Sequence, residues 1–298
     1  MNTSKFDIED LLKLFWSKKI LLTCFASVGL ILSAIYSLNV PNKYTSSVLI
    51  ISVDDSFTNS NLSRYSGLAN LAGLSIPSES DKSTIGLEVL RSRLFIENFI
   101  KEHDILPELM ASKDWNIETN EIIYDNKIYD NSKKIWTRKA NFPKKSKPSF
   151  QEGYDFWKKN IFSMIEDKQT GLVKFEIEHH SPIVAQEWAS LLISDLNNFI
   201  RDKDILEAEM SIEYLNNESS KTNIEELRSL FYKLIQSNIE KKMLAYARSE
   251  YLFQVIDPPI VSEEKSSPQR VLLIILGSIL GIMLGTVTIL ISHFIKER

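Results

Sequence analysis

The sequence carries two long apolar runs, one near each end, and neither run contains a charged residue. Residues 20–38 form a run of nineteen, and residues 271–292 form a run of twenty-two. Because about 20 apolar residues of helix cross the hydrocarbon core of a bilayer, each run is long enough to span a membrane once. We therefore predict a two-pass membrane protein with transmembrane helices at 20–38 and 271–292.

The first run has an alternative interpretation, the apolar core of a cleaved signal peptide. Such a core normally has about 7–15 residues, follows a short basic stretch and precedes a small-residue cleavage site. Here nineteen polar or amphipathic residues come first, and no Ala-x-Ala follows the run. The sequence favours a retained helix.

The flanking charges predict the orientation of the two helices. Cytoplasmic flanks of membrane helices carry an excess of Lys and Arg. The basic residues on the terminal sides of the two runs are Lys13, Lys18, Lys19, Lys296 and Arg298. We expect cytoplasmic tails at 1–19 and 293–298, and an extracytoplasmic domain at 39–270.

Composition excludes several classes of function. Of the 298 residues, 44% are hydrophobic, which is enough for a substantial core, and the formal charge of −4 gives no footprint for binding nucleic acid. The single cysteine, Cys24, rules out an internal disulfide framework and a cysteine metal cage. Its apolar surroundings favour a buried, inert thiol.

The middle portion mixes patterns typical of strands with patterns typical of helices. Residues 44–53 and 251–256 are rich in β-branched and aromatic side chains, and residues 172–178 alternate between apolar and charged ones. Residues 84–103 and 149–167 have the spacing of amphipathic helices. We expect an α+β fold, in which a small, mixed, membrane-proximal sheet with helices carries a long helical hairpin.

The hairpin is predicted at about 182–249. Ser181 and Pro182 suit the N-cap and first position of a helix, and no further Pro or Gly occurs before residue 243. The polar stretch 216–220 is the best place for a break, and residues 222–225 match a capping box that would restart the helix. One unbroken helix is the alternative, and the sequence favours the hairpin.

Catalytic motifs do not emerge from the sequence. His179 and His180 end a predicted strand without the spacing of a metal site, and a solvated strand end is the favoured interpretation. The sequence contains no phosphate-binding loop and no nucleophile elbow. We predict no enzymatic activity, no cofactor and no metal.

Small residues line one face of each predicted span. Gly277, Gly281 and Gly285 lie four residues apart, and Gly29 and Ser33 form a weaker counterpart in the first span. Glycines at this spacing let another helix approach closely, which promotes association in lipid. The alternative is that small residues are common in membrane helices.

Two further features lie outside the spans. Pro258, Pro259 and Pro268 precede the second span, and fixed φ angles would make them a semi-rigid juxtamembrane strut, with a plain linker as the alternative. A basic run within the irregular stretch 117–147 could contact an anionic glycan or a lipid headgroup, although a solvated loop is the commoner case. The candidate contacts are Lys133, Lys134, Arg138 and Lys139. Trp136 and Phe142 lie within this run and are interpreted as core anchors rather than sugar-stacking residues.

Several segments resemble one known family. They are the entry segment 6–19, Leu-Ala-Asn-Leu-Ala-Gly-Leu at 68–74, residues 87–93, residues 122–152, and Asp-Pro-Pro at 257–259 followed by Ser-Pro-Gln-Arg at 267–270. Together they resemble the Wzz-type chain-length determinants of O-antigen and related polysaccharides, the non-kinase polysaccharide co-polymerases. Ser262 and Gln269 depart from the usual pattern, which would make the strut less stiff.

The resemblance implies a ring or bell of identical protomers anchored in the bacterial inner membrane, each with a periplasmic domain at 39–270 that has an α/β base and a helical projection. It implies partners, namely a multi-spanning polymerase and a lipid-linked glycan, and a role in setting the modal repeat number. It supplies no catalytic residues. The alternatives are a two-pass sensory receptor, for which residues 292–298 are too short an output module, and a periplasmic glycan-modifying enzyme.

Overall fold

The computed structural model describes residues 16–53 and 79–296. The chain divides into two compact units. One unit comprises Met1–Tyr44 with Glu264–Arg298, and the other comprises Thr45–Glu263. In chain order the elements are α1 (Lys19–Asn39), β1 (Tyr44–Ser52), α2 (Glu79–Arg91), α3 (Arg93–Glu102), α4 (Leu106–Ala111), β2 (Ser112–Asn116), β3 (Glu121–Tyr124), β4 (Tyr129–Asp130), β5 (Ile135–Trp136), α5 (Phe150–Asn160), β6 (Phe162–Glu166), β7 (Leu172–His179), α6 (Pro182–Lys221), α7 (Glu225–Ala247), β8 (Phe253–Asp257) and α8 (Arg270–Lys296).

The helices α1 and α8 coincide with the two apolar runs. Both Lys19–Asn39 and Arg270–Ser292 are long and apolar enough to cross a membrane. Most of their apolar side chains are exposed, including Ile31, Leu280 and Leu284 at 54%, 59% and 62%. A core helix of a soluble protein would bury these side chains, so their exposure fits a lipid environment.

A four-stranded sheet forms the centre of the second unit, in the order β6-β7-β1-β8. The pairs β6–β7 and β1–β8 are antiparallel, and the register of β1–β8 shifts between Leu49 and Ile50. The apolar members of the predicted alternation, Val173, Phe175 and Ile177, are all buried. The strand predicted from that alternation is confirmed.

The core lies between this sheet and the helices α3, α4, α5 and α6. Trp157 of α5 and Trp188 of α6 are both 1% exposed, and their ring centroids lie 5.6 Å apart. Phe99 of α3 meets the Trp157 ring edge-on at 5.4 Å. Large buried rings of this kind bury more apolar area than any other side chains and so dominate the packing energy.

A long antiparallel hairpin projects from this core, as the sequence predicts. The helix α6 has 40 residues, α7 has 23, and only residues 222–224 join them. An ion pair of 2.6 Å links Glu209 of α6 to Lys242 of α7. The alternative of one unbroken helix is therefore wrong.

Two local predictions about the hairpin are wrong. The helix does not break at 216–220, because the hydroxyls of Ser219 and Ser220 donate to the carbonyls of their own helix three residues earlier and so keep their polar groups satisfied. The capping box at 222–225 does not form either. Ile224 is the N-cap residue, and the Thr222 hydroxyl accepts from the Ile224 amide at 3.4 Å.

Two predicted helices are also shorter than expected. The stretch 84–103 is interrupted at Ser92, which adopts an extended conformation and caps α3 by accepting from the Phe95 amide. The stretch 149–167 is helical only to Asn160, because residues 162–166 pair with β7 as an edge strand. Helical periodicity alone did not reveal the competing strand partner.

Other predictions lie mainly outside the described residues. The sequence also predicts an amphipathic helix at 7–16, of which only Trp16 is described, and an exposed loop or a pliable helix at 56–81, of which only 79–81 are described. Residues 79–81 begin α2.

Candidate functional site

The small-residue stripe of α8 packs against α1 of the same chain. A β-carbon added to Gly29 would fall on the Gly277 carbonyl oxygen, and one added to Gly277 would overlap the Ser33 side chain. The Ser33 hydroxyl lies 3.5 Å from the Ile274 carbonyl oxygen. The two helices thus approach through backbone contacts that any larger side chain would prevent.

The remaining glycines of α8 extend the same contact. A β-carbon on Gly281 would fall on the Phe25 carbonyl oxygen, and one on Gly285 would lie 3.1 Å from the Phe25 β-carbon. Ser37, four residues after Ser33, is 1% exposed on the same face of α1. The structure therefore places Gly29, Ser33 and the three glycines of α8 within one protomer.

The juxtamembrane residues are held by a short backbone pairing. The Lys43 amide donates to the Ser267 carbonyl at 2.9 Å, and the Ser266 amide donates to the Lys43 carbonyl at 2.9 Å. The Arg270 guanidinium donates to the Asn42 amide oxygen at 3.0 Å. Pro268 follows this pairing directly, so the segment before α8 is fixed against the segment after α1.

Pro258 and Pro259 follow β8, and their segment is held by side chains from two other elements. The Gln186 amide of α6 donates to the Pro259 carbonyl at 3.4 Å. The Ser46 hydroxyl of β1 donates to the Ile260 carbonyl at 2.8 Å. The segment that carries Pro258 and Pro259 is thus attached to the sheet and to α6.

Arg138, one of the candidate glycan contacts, is engaged in the fold. Its guanidinium forms two hydrogen bonds of 2.9 Å to Glu152, and it also donates to the carbonyls of Lys145 and Ser146. The hydrogen bond from Arg138 holds the pKa of Glu152 below its usual range. Because all its donor nitrogens have acceptors, Arg138 fastens the loop to α5 and is not available to a ligand.

The other candidate contacts lie at the surface. Lys133, Lys134 and Lys139 are exposed, and the Lys133 ammonium forms a long ion pair of 3.7 Å with Asp130. Trp136 is half-buried against the Tyr129 ring, at 4.9 Å between centroids, as expected of a core anchor. Phe142 is 98% exposed, so its interpretation as a core anchor is wrong.

His179 also differs from the prediction of a solvated strand end. It is 2% exposed, its Nδ1 accepts from the Ser181 amide at 3.1 Å, and its Nε2 lies 3.4 Å from the Glu108 carbonyl oxygen. An acceptor Nδ1 places the ring proton on Nε2. Within residues 16–53 and 79–296, no group of three or more His, Cys, Asp or Glu side chains is arranged to hold a metal ion.

A buried charged cluster at the base of the hairpin was missed from the sequence. Asp204 is 8% exposed; it accepts from the Tyr251 hydroxyl at 2.7 Å and pairs with Lys82 at 3.2 Å and Lys241 at 3.1 Å. Burial alone would raise the pKa of Asp204, but these hydrogen bonds and positive charges outweigh it and lower that pKa. The one sequence signal for this cluster was that an acidic residue, Asp204, occupies the buried face of α6.

The comparisons with known proteins agree with the predicted resemblance. Residues 4–103 match the family model described as "Wzz: Chain length determinant protein". No curated protein matches the chain.

Two solved structures align with the chain at low identity. A full-length bacterial polysaccharide co-polymerase is 14% identical, with 98% of this chain and 99% of that chain covered and a TM-score of 0.41. A fragment of WzzB, a polysaccharide co-polymerase from Salmonella Typhimurium, is 12% identical, with 76% and 100% covered and a TM-score of 0.36. Likeness at this level does not by itself indicate a shared function.

The family match covers α1, β1, α2, α3 and the entry segment before them. It therefore includes the first span together with Gly29 and Ser33, which contact α8. The resemblance predicted from the sequence is confirmed over this N-terminal third, where the chain carries the pattern of the Wzz chain-length determinant family.

Proposed function

We propose that this protein sets the chain length of a surface polysaccharide as a homo-oligomer in the bacterial inner membrane, acting with a polymerase on a lipid-linked glycan. The observation that carries the proposal is the family match at 4–103, in a chain with an apolar helix near each end. The family regulates chain length without enzymatic activity.

The packing of α1 on α8 supports two retained spans. A cleaved signal peptide would leave the protein, whereas α1 contributes Phe25, Gly29 and Ser33 to a close contact with α8. The outward faces of both helices remain apolar and exposed. These faces are suited to lipid, and the stripe is suited to holding the pair together.

We further propose that both termini are cytoplasmic and that the middle unit is periplasmic. The test uses single-cysteine variants in a Cys24→Ser background, labelled with a membrane-impermeant maleimide in cells with a permeabilised outer membrane. Lys168→Cys should be labelled while the inner membrane is intact, and Lys18→Cys only after the cells are lysed. The reverse pattern would contradict the orientation.

Exposed apolar side chains on the hairpin support self-association. On α7, Tyr232, Ile239, Met243 and Tyr246 recur at spacings of seven, four and three residues, and each is between 44% and 68% exposed. Contiguous exposed apolar residues usually mark a contact surface. Detergent-solubilised protein should sediment as a large homo-oligomer, and Met243→Glu should reduce its size.

A matched control places the same charge elsewhere on the hairpin. Asn217 is exposed on α6, and Asn217→Glu should leave the sedimentation coefficient unchanged. Equal effects of Met243→Glu and Asn217→Glu would show that added charge, rather than the apolar stripe, alters assembly. A monomeric wild-type protein at working concentration would contradict the proposal of a homo-oligomer.

We propose Lys133, Lys134 and Lys139 as contacts for anionic groups of the glycan or its lipid carrier, since all three are exposed. Pro258, Pro259 and Pro268 are proposed to stiffen the connection to α8. The lysine contacts and the proline stiffening can each be tested separately from the proposed role in chain length.

The decisive experiment is deletion of the gene followed by gel analysis of the surface-polysaccharide ladder. The proposal predicts loss of the modal length and its return when the wild-type gene is restored. An unchanged length distribution would contradict it. Turnover of lipid-linked glycan by the purified protein alone would favour a glycan-modifying enzyme instead.

A further inference from the structure

A polar cleft lies where α4, the β2–β3 ribbon and the beginning of α6 meet. Its volume is about 340 Å³, within the usual range of small-molecule sites. Its polar lining consists of two carboxyl groups, two carboxamides and two hydroxyls, and aliphatic side chains complete the wall. These polar residues are Glu108, Glu121, Asn120, Asn131, Tyr124 and Ser181.

The polar groups of the cleft are oriented by neighbours behind them. The Trp115 indole N–H donates to the Asn120 amide oxygen at 2.9 Å, which turns the Asn120 NH₂ group away from that bond. Asp130 accepts from the amides of Ser132 and Lys133, which fixes the turn that carries Asn131. Orientation before binding lowers the entropic cost of ligand recognition.

His179 fixes the two helices that border the cleft. It contacts the backbone of both Glu108 in α4 and Ser181 at the start of α6. The Ser181 hydroxyl accepts from the Val184 amide at 3.4 Å. A rigid junction of this kind keeps the opposing walls of the cleft at a constant separation.

An aromatic series leads from the cleft to the basic run. The rings of Tyr124 and Tyr129 lie 5.7 Å apart, and those of Tyr129 and Trp136 lie 4.9 Å apart. Tyr124, which lines the cleft, is thus supported by the neighbouring Tyr129 ring. Burial raises the pKa of Tyr124 to about 12, with Glu108 and Tyr129 contributing, so its hydroxyl remains a donor at physiological pH.

The chemistry of the lining restricts the ligand. Sugar hydroxyls both donate and accept hydrogen bonds, and neighbouring carboxyl, amide and hydroxyl groups complement them. Glu187 and Asp104 lie close enough to Glu108 to raise its pKa, although burial is the largest cause. This concentration of acids would repel an anionic sugar.

We propose that this cleft binds one neutral, hydroxyl-rich sugar residue of a glycan. The proposal rests on the proposed function, since it names the part of the polysaccharide that the protein would hold. It adds a site distinct from Lys133, Lys134 and Lys139, which suit anionic groups. A neutral residue in the cleft and an anionic group at these lysines could belong to one glycan chain.

Saturation-transfer NMR on the full-length protein in detergent tests the proposal. The probes are the methyl glycosides of a neutral hexose and of a hexuronic acid. We expect transfer to the neutral glycoside and at least fivefold less to the acid. No transfer to the neutral glycoside, or stronger transfer to the acid, would overturn the proposal.

Variants then locate the binding. Asn131→Ala and Tyr124→Phe each remove hydrogen-bonding groups from the cleft and should weaken binding of the neutral glycoside by roughly fivefold. The matched control is Asn217→Ala, an exposed position on the hairpin, which should bind like wild type. Circular dichroism must show that all three variants are folded, and wild-type binding by both cleft variants would overturn the proposed location.

The polysaccharide ladder separates this proposal from the proposed function. If gene deletion alters the ladder while folded cleft variants bind sugar like wild type, the function stands and the cleft proposal fails. If the cleft binds the neutral glycoside but deletion leaves the ladder unchanged, the cleft proposal stands and the chain-length function fails.

Discussion

The Asn197 side chain pairs with the backbone of Phe253 as a neighbouring strand would. Its Oδ1 accepts from the Phe253 amide at 2.9 Å, and its Nδ2 donates to the Phe253 carbonyl at 2.9 Å. The same Oδ1 accepts from the Leu252 amide at 2.9 Å. One buried amide on α6 thus satisfies the start of β8 and ties the helix to the sheet.

We predict that Asn197→Ala destabilises the protein by about 3 kcal/mol, because three buried backbone groups lose their partners. Heat denaturation of the detergent-solubilised protein, followed by circular dichroism, measures the change. Asn198→Ala is the control, since Asn198 is the next residue of α6 and its amide oxygen accepts from Arg201 of the same helix. A melting temperature equal to wild type for Asn197→Ala would contradict the role of the amide.

The lowered pKa of Asp204 predicts that the stability of the protein depends on pH in the acidic range. In the folded protein its pKa lies below the ordinary value of 3.8, so the folded state binds fewer protons than the unfolded state. Stability from this group is complete above pH 3.8 and is lost as the pH falls through the lowered pKa. We expect the melting temperature to fall across this acidic range.

Asp204→Asn should remove that part of the acid dependence and cost about 2 kcal/mol at neutral pH, because Lys82 and Lys241 lose their counter-charge. Asp202→Asn is the matched control, since the Asp202 side chain is 74% exposed on the same helix. If both variants melt alike, the ion pairs of Asp204 with Lys82 and Lys241 do not contribute to stability.

The raised pKa of Glu108 predicts the opposite effect, a loss of stability as the pH rises. Burial is the main cause of its raised pKa, and the charges of Glu187 and Asp104 add to it. The unfolded state therefore loses its proton at a lower pH than the folded state, so stability falls as the pH rises from 4.5 through the raised pKa. Above this range the folded protein holds an unfavourable, half-buried charge at Glu108.

Glu108→Gln should therefore stabilise the protein at pH 8 by about 1 kcal/mol and have little effect at pH 4. A change of that size corresponds to roughly 2–4 °C in melting temperature for a domain of this size. Glu226→Gln, at an exposed position of α7, is the control and should melt like wild type at both pH values. A lower melting temperature for Glu108→Gln at pH 8 would contradict the sign.

The sequence predicts those features that depend on local pattern. The uncharged runs at 20–38 and 271–292 correspond to α1 and α8, and the alternation at 172–178 corresponds to β7. Features that depend on a partner distant in the sequence could not be predicted from the sequence alone. Residues 162–166 form a strand only because β7 lies beside them.

The same distinction explains the candidate site residues. Gly277, Gly281 and Gly285 are recognisable by their spacing, but only the structure shows that α1 of the same chain occupies them. Arg138 belongs to a basic run, yet Glu152 engages it because the loop folds back on α5. A run of like charges does not indicate which members are already paired.

The pairing of Arg138 with Glu152 predicts how the loop between β5 and α5 responds to mutation. Arg138→Lys keeps the charge but loses the planar pair of hydrogen bonds, so we expect about 1–2 kcal/mol of destabilisation. The chain should then be cut faster by trypsin after the loop lysines 144 and 145. Lys139→Arg, at an exposed neighbouring position, should leave the cleavage rate unchanged, and equal rates for the two variants would contradict the bracing role of Arg138.

The glycine stripe of α8 predicts that the packing of α8 on α1 depends on small residues. A β-carbon at Gly281 would fall on the Phe25 carbonyl oxygen, and backbone atoms cannot move aside as a flexible side chain can. Gly281→Leu should therefore separate α1 from α8 and cost at least about 2 kcal/mol. Leu280→Ile, at a position of α8 that is 59% exposed, should be neutral. Heat denaturation of the solubilised variants compares the two, and a wild-type melting temperature for Gly281→Leu would show that the spans do not depend on this contact.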